Sequence, residues 1–254
     1  MLNKSIKKPY KIDLLPFAIV DLQNKYSSLT ERRKNMSEEM STFKIGDEIE
    51  LGTWPFDRRG KVKKISWVII DKYSDGTGLL LTKYGIETKQ YNAKSGGVSW
   101  ESCDLRKWLN SDFYDMAFTE DEKSGIMTVS LKTECKGGFF GSLFGKKTVS
   151  TKDNVFLINA EEAESLFGNE SKRKAKATPW AIQNLAYADS ESGACWWWLR
   201  SPGTKSDCAA SVCDGTVNTE GLKIDYTSNS VRPAIKFNLN MYAQIIREQE
   251  EKAQ

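Results

Sequence analysis

Alternating apolar and polar positions predict short strands at the start of the folded region. Residues 45–52 and 65–71 alternate in this way, and the apolar segment Gly78–Thr82 follows a turn predicted at Ser74–Gly76. Because successive side chains of a strand point to opposite faces, this pattern is typical of half-buried strands joined as a hairpin or meander. We therefore expect the domain to open with antiparallel strands.

Helical spacing interrupts the strands in the middle of the chain. Apolar residues spaced by three and four between Leu105 and Ala117 predict an amphipathic helix. Further helix starts are indicated by a capping residue or a first-turn proline, in the pairs Thr119 and Glu122, Asn159 and Glu162, and Thr178 and Pro179. Two or three helices are therefore predicted among many strands.

The C-terminal part returns to short alternating segments. Residues 222–226 and 235–239 alternate between apolar and polar side chains. The dipeptides Asp214-Gly215 and Glu220-Gly221 predict turns between these strands. Strands and helices in this order favour an α+β domain with an irregular antiparallel sheet.

Composition divides the chain into three parts. Residues 1–42 are predicted to be a helical extension, whose apolar stretch 14–22 either packs on the domain or mediates self-association. Residues 43–240 are predicted to form the folded domain. Residues 241–254 are predicted to be a polar tail.

Charge and cysteine usage limit the class of protein. The net charge of the 254-residue chain is +3, and residues 1–42 hold eight Lys and Arg against five Asp and Glu, so no nucleic-acid partner is expected. No run approaches the ~20 apolar residues of a membrane span. Five scattered cysteines fit reduced thiols better than a disulfide framework. The sequence thus predicts a cytoplasmic protein without a membrane span.

A tryptophan-rich stretch near the C-terminus is the most informative motif. It is Trp196-Trp197-Trp198-Leu199-Arg200-Ser201-Pro202-Gly203, and Val231-Arg232-Pro233-Ala234 follows later in the chain. Since a strand points successive side chains to opposite faces, the adjacent indoles must serve different surfaces. The residues assigned to the framework are Trp197, Leu199, Arg200, Arg232 and Pro233. Each arginine can neutralise a buried carboxylate or bind loop carbonyls, and the alternative is an anion-binding pair.

These motifs, with Trp100-Glu101-x-Cys103-x-Leu105-Arg106 and Thr151-Lys152-Asp153-Asn154, resemble an uncharacterised bacterial family, a domain of unknown function, over residues 43–239. The C-terminal half of that family is similar to C-type-lectin-like domains, including variable proteins diversified by retroelements. The resemblance implies a lectin-like fold whose C-terminal loops and strands contact a ligand. The residues placed on that face are Asp207, Asp214, Asn218, Thr219, Tyr226, Ser228 and Asn229. The same residue types also form ordinary exposed turns.

The function expected from these features is a non-enzymatic recognition domain with a protein ligand. The chain has no histidine, which excludes Ser-His-Asp and Cys-His catalysis and the usual zinc sites, and no cofactor is implied. The Gly-rich segment 137–148 is not a phosphate loop, because Phe140 stands where that motif requires glycine. Its residues 137–145 form either a contact tip for a partner or an apolar loop folded over the sheet.

Two functions of other classes stay open. Cys208 and Cys213 have a Cys-x4-Cys spacing similar to that of formylglycine-generating enzymes, which share a lectin-like fold and hold copper with two thiols. An odd separation places the two thiols on opposite faces of a regular strand, so this oxidase-like site would need a bulge. The other alternative is a structural component of a phage particle or cell assembly, joined through residues 1–42.

Overall fold

Two five-stranded sheets with helices between their strands build the described part of the chain. The computed structural model describes residues 43–135 and 147–253. The predicted extension at 1–42 and the Gly/Phe loop at 137–145 lie outside the described residues. Among the described strands, one pairing in the two large sheets is parallel and the others are antiparallel. The predicted α+β class with antiparallel sheets is confirmed.

The first sheet joins the opening strands to a strand near the C-terminus. β1 (Glu48–Pro55), β2 (Val62–Lys72) and β3 (Thr77–Thr82) form an antiparallel meander, as the alternation predicts. β14 (Ala234–Asn238) pairs with β3, and the two-residue strand β5 (Ile126–Met127) pairs with β14 at the far edge. The order of the sheet is therefore β1-β2-β3-β14-β5.

The second sheet contains the tryptophan-rich stretch. β10 (Trp197–Pro202) lies at its centre, between β11 (Cys208–Cys213) and β13 (Ser230–Val231). The edge strands are β12 (Thr216–Lys223) and β4 (Glu87–Thr88). β10 and β13 are the parallel pair. Because β12 is an edge strand, one side of it has no strand partner.

Two smaller strand pairs accompany the large sheets. β6 (Val129–Cys135) and β7 (Lys147–Asp153) form a regular antiparallel pair without a register shift. β8 (Ala175–Lys176) and β9 (Ala194–Cys195) pair over two residues. The first pair supplies side chains to a groove beside the second sheet, as shown below by its lining residues.

Seven α-helices are described, the first two of them joined without a break, where the sequence predicts two or three. Their bounds are α1 (Asp104–Trp108), continuous through a π-helical turn (Leu109–Phe113) with α2 (Tyr114–Ala117), then α3 (Glu120–Gly125), α4 (Ala160–Phe167), α5 (Glu170–Arg173), α6 (Pro179–Gln183) and α7 (Leu239–Ala253). The short helices carry too few residues to show a helical period, so pattern analysis undercounts them. None of the helices in the described part is long and apolar enough to cross a membrane.

The C-terminal residues form a helix with a short apolar stripe. Residues predicted as a polar tail belong to α7, which begins at the buried Leu239. Met241, Tyr242 and Ile245 are partly buried and pack against the core. Their spacing of three and four residues is helical. Because charged residues follow directly, this short apolar stripe is difficult to recognise in the sequence.

Helix starts lie where capping signals predict them. Thr119 and Asn159 form reciprocal capping boxes with Glu122 and Glu162, in which each side chain accepts from the other residue's backbone N–H. Thr178 caps α6, its side chain accepting from the Ala181 N–H. These local signals depend only on neighbouring residues, which is why the sequence is sufficient to find them.

The predicted turn at Asp214-Gly215 is present. Asp214 (φ 51°) and Gly215 (φ 91°) join the paired residues Cys213 and Thr216 as a two-residue hairpin turn. A Cβ on Gly215 would lie 2.4 Å from the carbonyl oxygen of Glu170, so this turn packs closely on α5. Both the left-handed backbone and the close contact require glycine at this position.

The predicted turn at Glu220-Gly221 is wrong. These residues lie within β12, where the three residues 219–221 oppose the single residue Ala210 of β11. Gly221 has φ 85°, and a Cβ there would lie 2.6 Å from the carbonyl oxygen of Ala209. The glycine signal marks a bulge rather than a turn, because both need a left-handed residue.

Candidate functional site

The adjacent tryptophans of β10 serve different surfaces, and both are interior. Trp197 and Trp198 are each 0% exposed, as is Leu199, so both faces of the strand are covered. The Trp197 indole N–H donates to the carbonyl of Arg173 at 3.3 Å, and that of Trp198 donates to the carbonyl of Lys89 at 2.8 Å. The stretch is therefore framework that also anchors two neighbouring segments.

Arg200 forms a two-pronged ion pair with Glu162. The Arg200 side chain is 3% exposed, and its Nη1 and Nη2 donate to the carboxylate at 2.6 and 2.9 Å. Nη1 also donates to the carbonyl of Leu157 at 3.0 Å. The same carboxylate accepts from the Asn159 N–H at 2.8 Å. Arg200 therefore joins β10 to the start of α4, which lines a groove described below.

Arg232 is buried among carbonyl and aromatic groups. Its Nε and Nη2 donate to the carbonyl of Thr82 at 3.0 and 2.8 Å, and its guanidinium lies 4.6 Å from the centroid of the Trp197 ring. The Thr82 N–H donates to the carbonyl of Pro233 at 3.0 Å. Burial lowers the pKa of Arg232 to about 10, while the nearby Cys195 thiol acts in the opposite direction. These contacts place the arginine in the framework, away from any exposed anion.

Three residues of the predicted recognition face hold local structure. Asp214 is the first residue of the hairpin turn. The carbonyl of Asp207 accepts from the Ile224 N–H at 2.9 Å. Asn218 Oδ1 accepts from the Gly221 N–H at 3.1 Å, inside the bulge of β12. The backbone of Asp207 and Asp214 and the side chain of Asn218 thus take part in local structure.

Tyr226, Ser228 and Asn229 form the last part of the predicted recognition face. The carbonyl of Ser228 accepts from the Tyr187 N–H at 2.8 Å, and Tyr226 is partly buried against the core. Asn229 is 0% exposed, and both polar atoms of its amide lack a partner among the described residues. Its assignment to an exposed face is therefore corrected: it directly precedes β13, an interior strand of the second sheet, and is an interior residue.

Thr219 lines a groove of about 650 Å³, and most of the other lining residues are not predicted from the sequence to contact a ligand. The lining residues come from the second sheet and its loops, from the start of α4 and from the β6–β7 pair. They are Ser201, Pro202, Thr204, Thr219, Asn159, Ala160, Glu161, Lys132, Thr133 and Thr148. We call this the hydroxyl groove, since five of these side chains are serine or threonine.

The bulge in β12 brings Thr219 to the groove. The N–H and Oγ1 of Thr204 both donate to the carbonyl of Glu220, at 2.8 and 3.2 Å, and so tie the loop after β10 to the bulge. A Cβ on Gly203 would lie 2.6 Å from the same carbonyl oxygen, which shows how closely the two segments approach. Bulges at sheet edges redirect side chains, and here the result is that Thr204 and Thr219 share one wall.

The β6 side of the groove contains a buried hydroxyl without a partner. Thr133 is 6% exposed, and its Oγ1 has no hydrogen-bond partner among the described residues. Beside it, the Ala160 N–H donates to Ser201 Oγ at 2.9 Å, which joins α4 to β10. Buried polar groups are normally paired, and Thr133 also lines the groove, so a rotation of its side chain toward the groove would let a ligand pair with this hydroxyl. Alternation of apolar and polar residues can predict the strand β6 from the sequence. It does not indicate which distant residues this strand faces.

The described thiols are neither brought together nor activated. Cys208 and Cys213 occupy the two ends of the six-residue strand β11, so their Cα atoms lie about 16 Å apart at ~3.3 Å per residue. Burial raises the pKa of Cys195, Cys208 and Cys213, and raises that of Cys103 to about 12. Because the thiolate is the metal ligand and the nucleophile, this arrangement does not provide the two-thiol copper site.

Buried carboxylates serve the framework. Asp153 accepts from Arg106 Nε at 2.6 Å and from the Trp100 indole N–H at 3.0 Å. Glu87 accepts from the indole N–H groups of Trp54 and Trp180 at 3.3 and 3.0 Å. Over residues 43–135 and 147–253, no three Cys, Asp or Glu residues are grouped to hold a metal ion.

A protein-family model matches most of the described domain. The model is that of a domain of unknown function, DUF6273, and it matches residues 75–239, which contain the whole second sheet and the hydroxyl groove. β1 and β2 precede the matched residues, although they complete the first sheet. No curated protein and no solved structure matches the chain. The family model covers more than half of the sequence, and the chain therefore belongs to the DUF6273 family.

Proposed function

We propose that this domain is a non-enzymatic recognition module that binds a segment of a protein ligand in the hydroxyl groove. One observation carries the proposal: five hydroxyl side chains converge on one groove of about 650 Å³, and Thr204 and Thr219 among them come from the C-terminal loops and strands expected to contact a ligand. A lectin-like architecture is part of the proposal, because it rests on the resemblance of the tryptophan-rich and Val-Arg-Pro-Ala motifs.

The chemistry of the lining favours an extended peptide as the ligand. Hydroxyl groups donate and accept hydrogen bonds, as the N–H and C=O groups of a peptide main chain require. None of the described lining residues is aromatic. Sites for small molecules are lined mainly by apolar and aromatic side chains, so this groove differs from them. Lys132 and Glu161 add one charge of each sign for side chains of the ligand.

The groove is supported by contacts that hold its walls in place. Arg200 fixes the start of α4 through Glu162, and Ser201 Oγ accepts from the first N–H of that helix. The buried Thr133 hydroxyl lacks a partner among the described residues, and a ligand can supply one when this side chain rotates toward the groove. Leaving such a group unpaired costs about 1–3 kcal/mol, so a main-chain group that pairs with it contributes to affinity.

The remaining chemistry favours binding over catalysis. The chain contains no histidine, and the pKa of each described thiol is raised, which leaves these thiols protonated at neutral pH. A groove lined by hydroxyl groups can recognise a peptide, and among the described residues no hydrogen bond joins a lining hydroxyl to Glu161 or Lys132, as activation of a nucleophile would require.

A pull-down with the full chain tests the proposal. It compares wild type, the double variant Thr204→Ala with Thr219→Ala, and the control Thr216→Ala. Thr216 is an exposed threonine on the same strand, whose hydroxyl donates to Glu170 Oε1 at 3.0 Å and does not line the groove. A host protein retained by wild type and by the control, but lost from the double variant, supports the proposal. Equal retention by all three proteins would place the ligand elsewhere.

Titration of the retained protein with a Thr133→Val variant provides the second test. Valine has nearly the shape of threonine and lacks the unpaired hydroxyl, so the variant should unfold at equal or higher temperature than wild type. We expect its affinity for the retained protein to fall by about tenfold, the loss of one good hydrogen bond. Unchanged affinity would show that the groove does not contact this ligand.

A further inference from the structure

A second cleft lies outside the hydroxyl groove. It has a volume of about 410 Å³ and is lined by residues of four separate segments, among them Lys89, Trp108, Leu185 and Thr227. No residue that lines it also lines the hydroxyl groove. We call it the Trp108 cleft, and nothing in the proposed function depends on it.

Lys89 is positioned in this cleft with its charge unused. Its Nζ lies 4.6 Å from the centroid of the Trp108 ring, and among the described residues it forms no ion pair. Its carbonyl accepts from the indole of the buried Trp198, which anchors the lysine backbone. The Trp108 ring is held edge-on by Trp54, with centroids 5.8 Å apart. A cation over an aromatic ring keeps its full charge, so Lys89 can bind an anionic group.

The other charged lining residue, Asp104, has partners other than Lys89. Asp104 accepts from the Ala93 N–H at 3.1 Å and pairs with Lys107 at 3.3 Å. The Ala93 hydrogen bond, Lys107 and the charge of Lys94 together hold the pKa of Asp104 below its usual value, against the effect of burial. Asp104 is thus engaged by other groups, and Lys89 forms no ion pair among the described residues, which favours an acidic side chain of a ligand at Lys89.

Leu185 gives the cleft an exposed apolar rim on a strained backbone. Its φ is 77° and its side chain is 68% exposed. It follows the C-cap Asn184 of α6, where its N–H donates to the carbonyl of Ile182 and the Ala186 N–H donates to that of Ala181, at 3.1 and 2.9 Å. Glycine is the usual residue at this position of a helix end. An exposed leucine there is not explained by folding, and such strain clusters at ligand contacts.

We infer that the Trp108 cleft is a second binding site, and that it takes an acidic peptide segment with an adjacent apolar side chain. The acidic side chain pairs with Lys89 Nζ, while the apolar one packs between the Trp108 indole and Leu185. Asn184 and Thr227 offer hydrogen bonds to the main chain of the ligand. A small inorganic anion would leave the apolar rim without a contact, which is why a peptide fits the cleft better.

Peptide display on the full chain tests this inference. A random heptapeptide library is selected against wild type, and the affinity of the enriched peptides is then measured by fluorescence anisotropy at low and high salt. We expect enrichment of Asp or Glu beside Leu, Ile, Phe or Trp, and weaker binding at high salt. Lys89→Met removes the charge and retains most of the stem, so it should weaken binding about tenfold or more.

Matched variants separate binding from folding and from bulk charge. Leu185→Gly should weaken binding without lowering the melting temperature, because glycine suits the left-handed backbone. Lys172→Glu reverses an exposed charge outside the cleft and should leave the affinity unchanged. The double variant of Thr204 and Thr219 should also bind the peptide normally, which distinguishes failure here from failure of the hydroxyl groove. Failure to enrich any peptide, or enrichment of peptides without acidic residues, would overturn the inference. Binding by the Lys89→Met and Leu185→Gly variants with the affinity of wild type would overturn it as well.

Discussion

The left-handed backbone at Leu185 leads to a stability prediction with an unusual sign. We expect Leu185→Gly to be more stable than Leu185→Ala, although glycine is less stable than alanine in most folded positions. Leu185 is 68% exposed, so both substitutions remove the same small amount of burial and differ only in the backbone term. At φ 77° a Cβ meets the carbonyl oxygen that follows it, and glycine has no Cβ.

The size of the difference follows from two opposing effects. The left-handed conformation costs a residue with a side chain roughly 1–2 kcal/mol, and glycine loses about 0.5–1 kcal/mol more conformational entropy on folding. The balance favours Leu185→Gly by up to about 1.5 kcal/mol, with a central value of about 0.8 kcal/mol. For a domain of this size, 1 kcal/mol shifts the melting temperature by roughly 2–4 °C. Urea unfolding followed by fluorescence of the eight tryptophans gives the same difference as a free energy.

An exposed position in a helix provides the control. Glu164 lies inside α4 and is exposed, so Glu164→Ala should be more stable than Glu164→Gly by about 1 kcal/mol. The two positions should therefore show opposite signs. If Leu185→Gly were no more stable than Leu185→Ala, the left-handed backbone would not exist in solution. The argument that this leucine is present for contact rather than for folding would then fail.

Three further predictions concern the framework. Glu162→Gln removes the carboxylate that pairs with Arg200; because Glu162 is 32% exposed, urea unfolding should show a loss of about 2 kcal/mol, below the roughly 3–5 kcal/mol of a fully buried pair. Burial raises the pKa of Glu122, but hydrogen bonds from Thr119, Gly52 and Lys64 together have the larger effect, and the pKa lies below its usual value of 4.5. Its contribution to stability is therefore complete above pH 4.5 and is lost as the pH falls through the folded pKa, so Glu122→Gln should flatten the acid side of a plot of melting temperature against pH. Gly221→Ala, with a Cβ 2.6 Å from the Ala209 carbonyl oxygen, should lower the melting temperature by several degrees, about 2 kcal/mol, and weaken binding in the hydroxyl groove.

The sequence was sufficient where structure depends on neighbouring residues. The capping boxes at Thr119 and Asn159, the hairpin turn at Asp214 and the meander of β1 to β3 all follow from short patterns. The tryptophan-rich stretch was correctly expected to serve two surfaces, because that conclusion needs only the two-residue period of a strand. The fold class follows from the order of such elements.

The candidate sites depend on contacts between distant residues, and no local pattern could place them. The wall containing Thr133 faces Thr219 because the β6–β7 pair packs beside the second sheet, which no spacing in either segment indicates. Gly221 was assigned to a turn because turns and bulges need the same backbone conformation. Asn229 was placed on the surface because an asparagine near a turn is usually exposed, but its segment enters an interior strand.

Both candidate sites are supported by the same strand, β10. The Trp198 indole holds the carbonyl of Lys89 at the edge of the Trp108 cleft, and Arg200, two residues further on, holds the start of α4 beside the hydroxyl groove. β10 is irregular between Trp198 and Pro202, and the side chains of Trp198 and Arg200 are both buried, so the interior of one strand supports two binding surfaces. Within the tryptophan-rich stretch, Trp198 and Arg200 therefore act through position: they fix residues that we propose contact the ligands, while Ser201 and Pro202 line the hydroxyl groove themselves. A substitution of Trp198 that leaves the domain folded should consequently weaken binding in the Trp108 cleft. A substitution of Arg200 that leaves it folded should weaken binding in the hydroxyl groove, although neither side chain contacts a ligand.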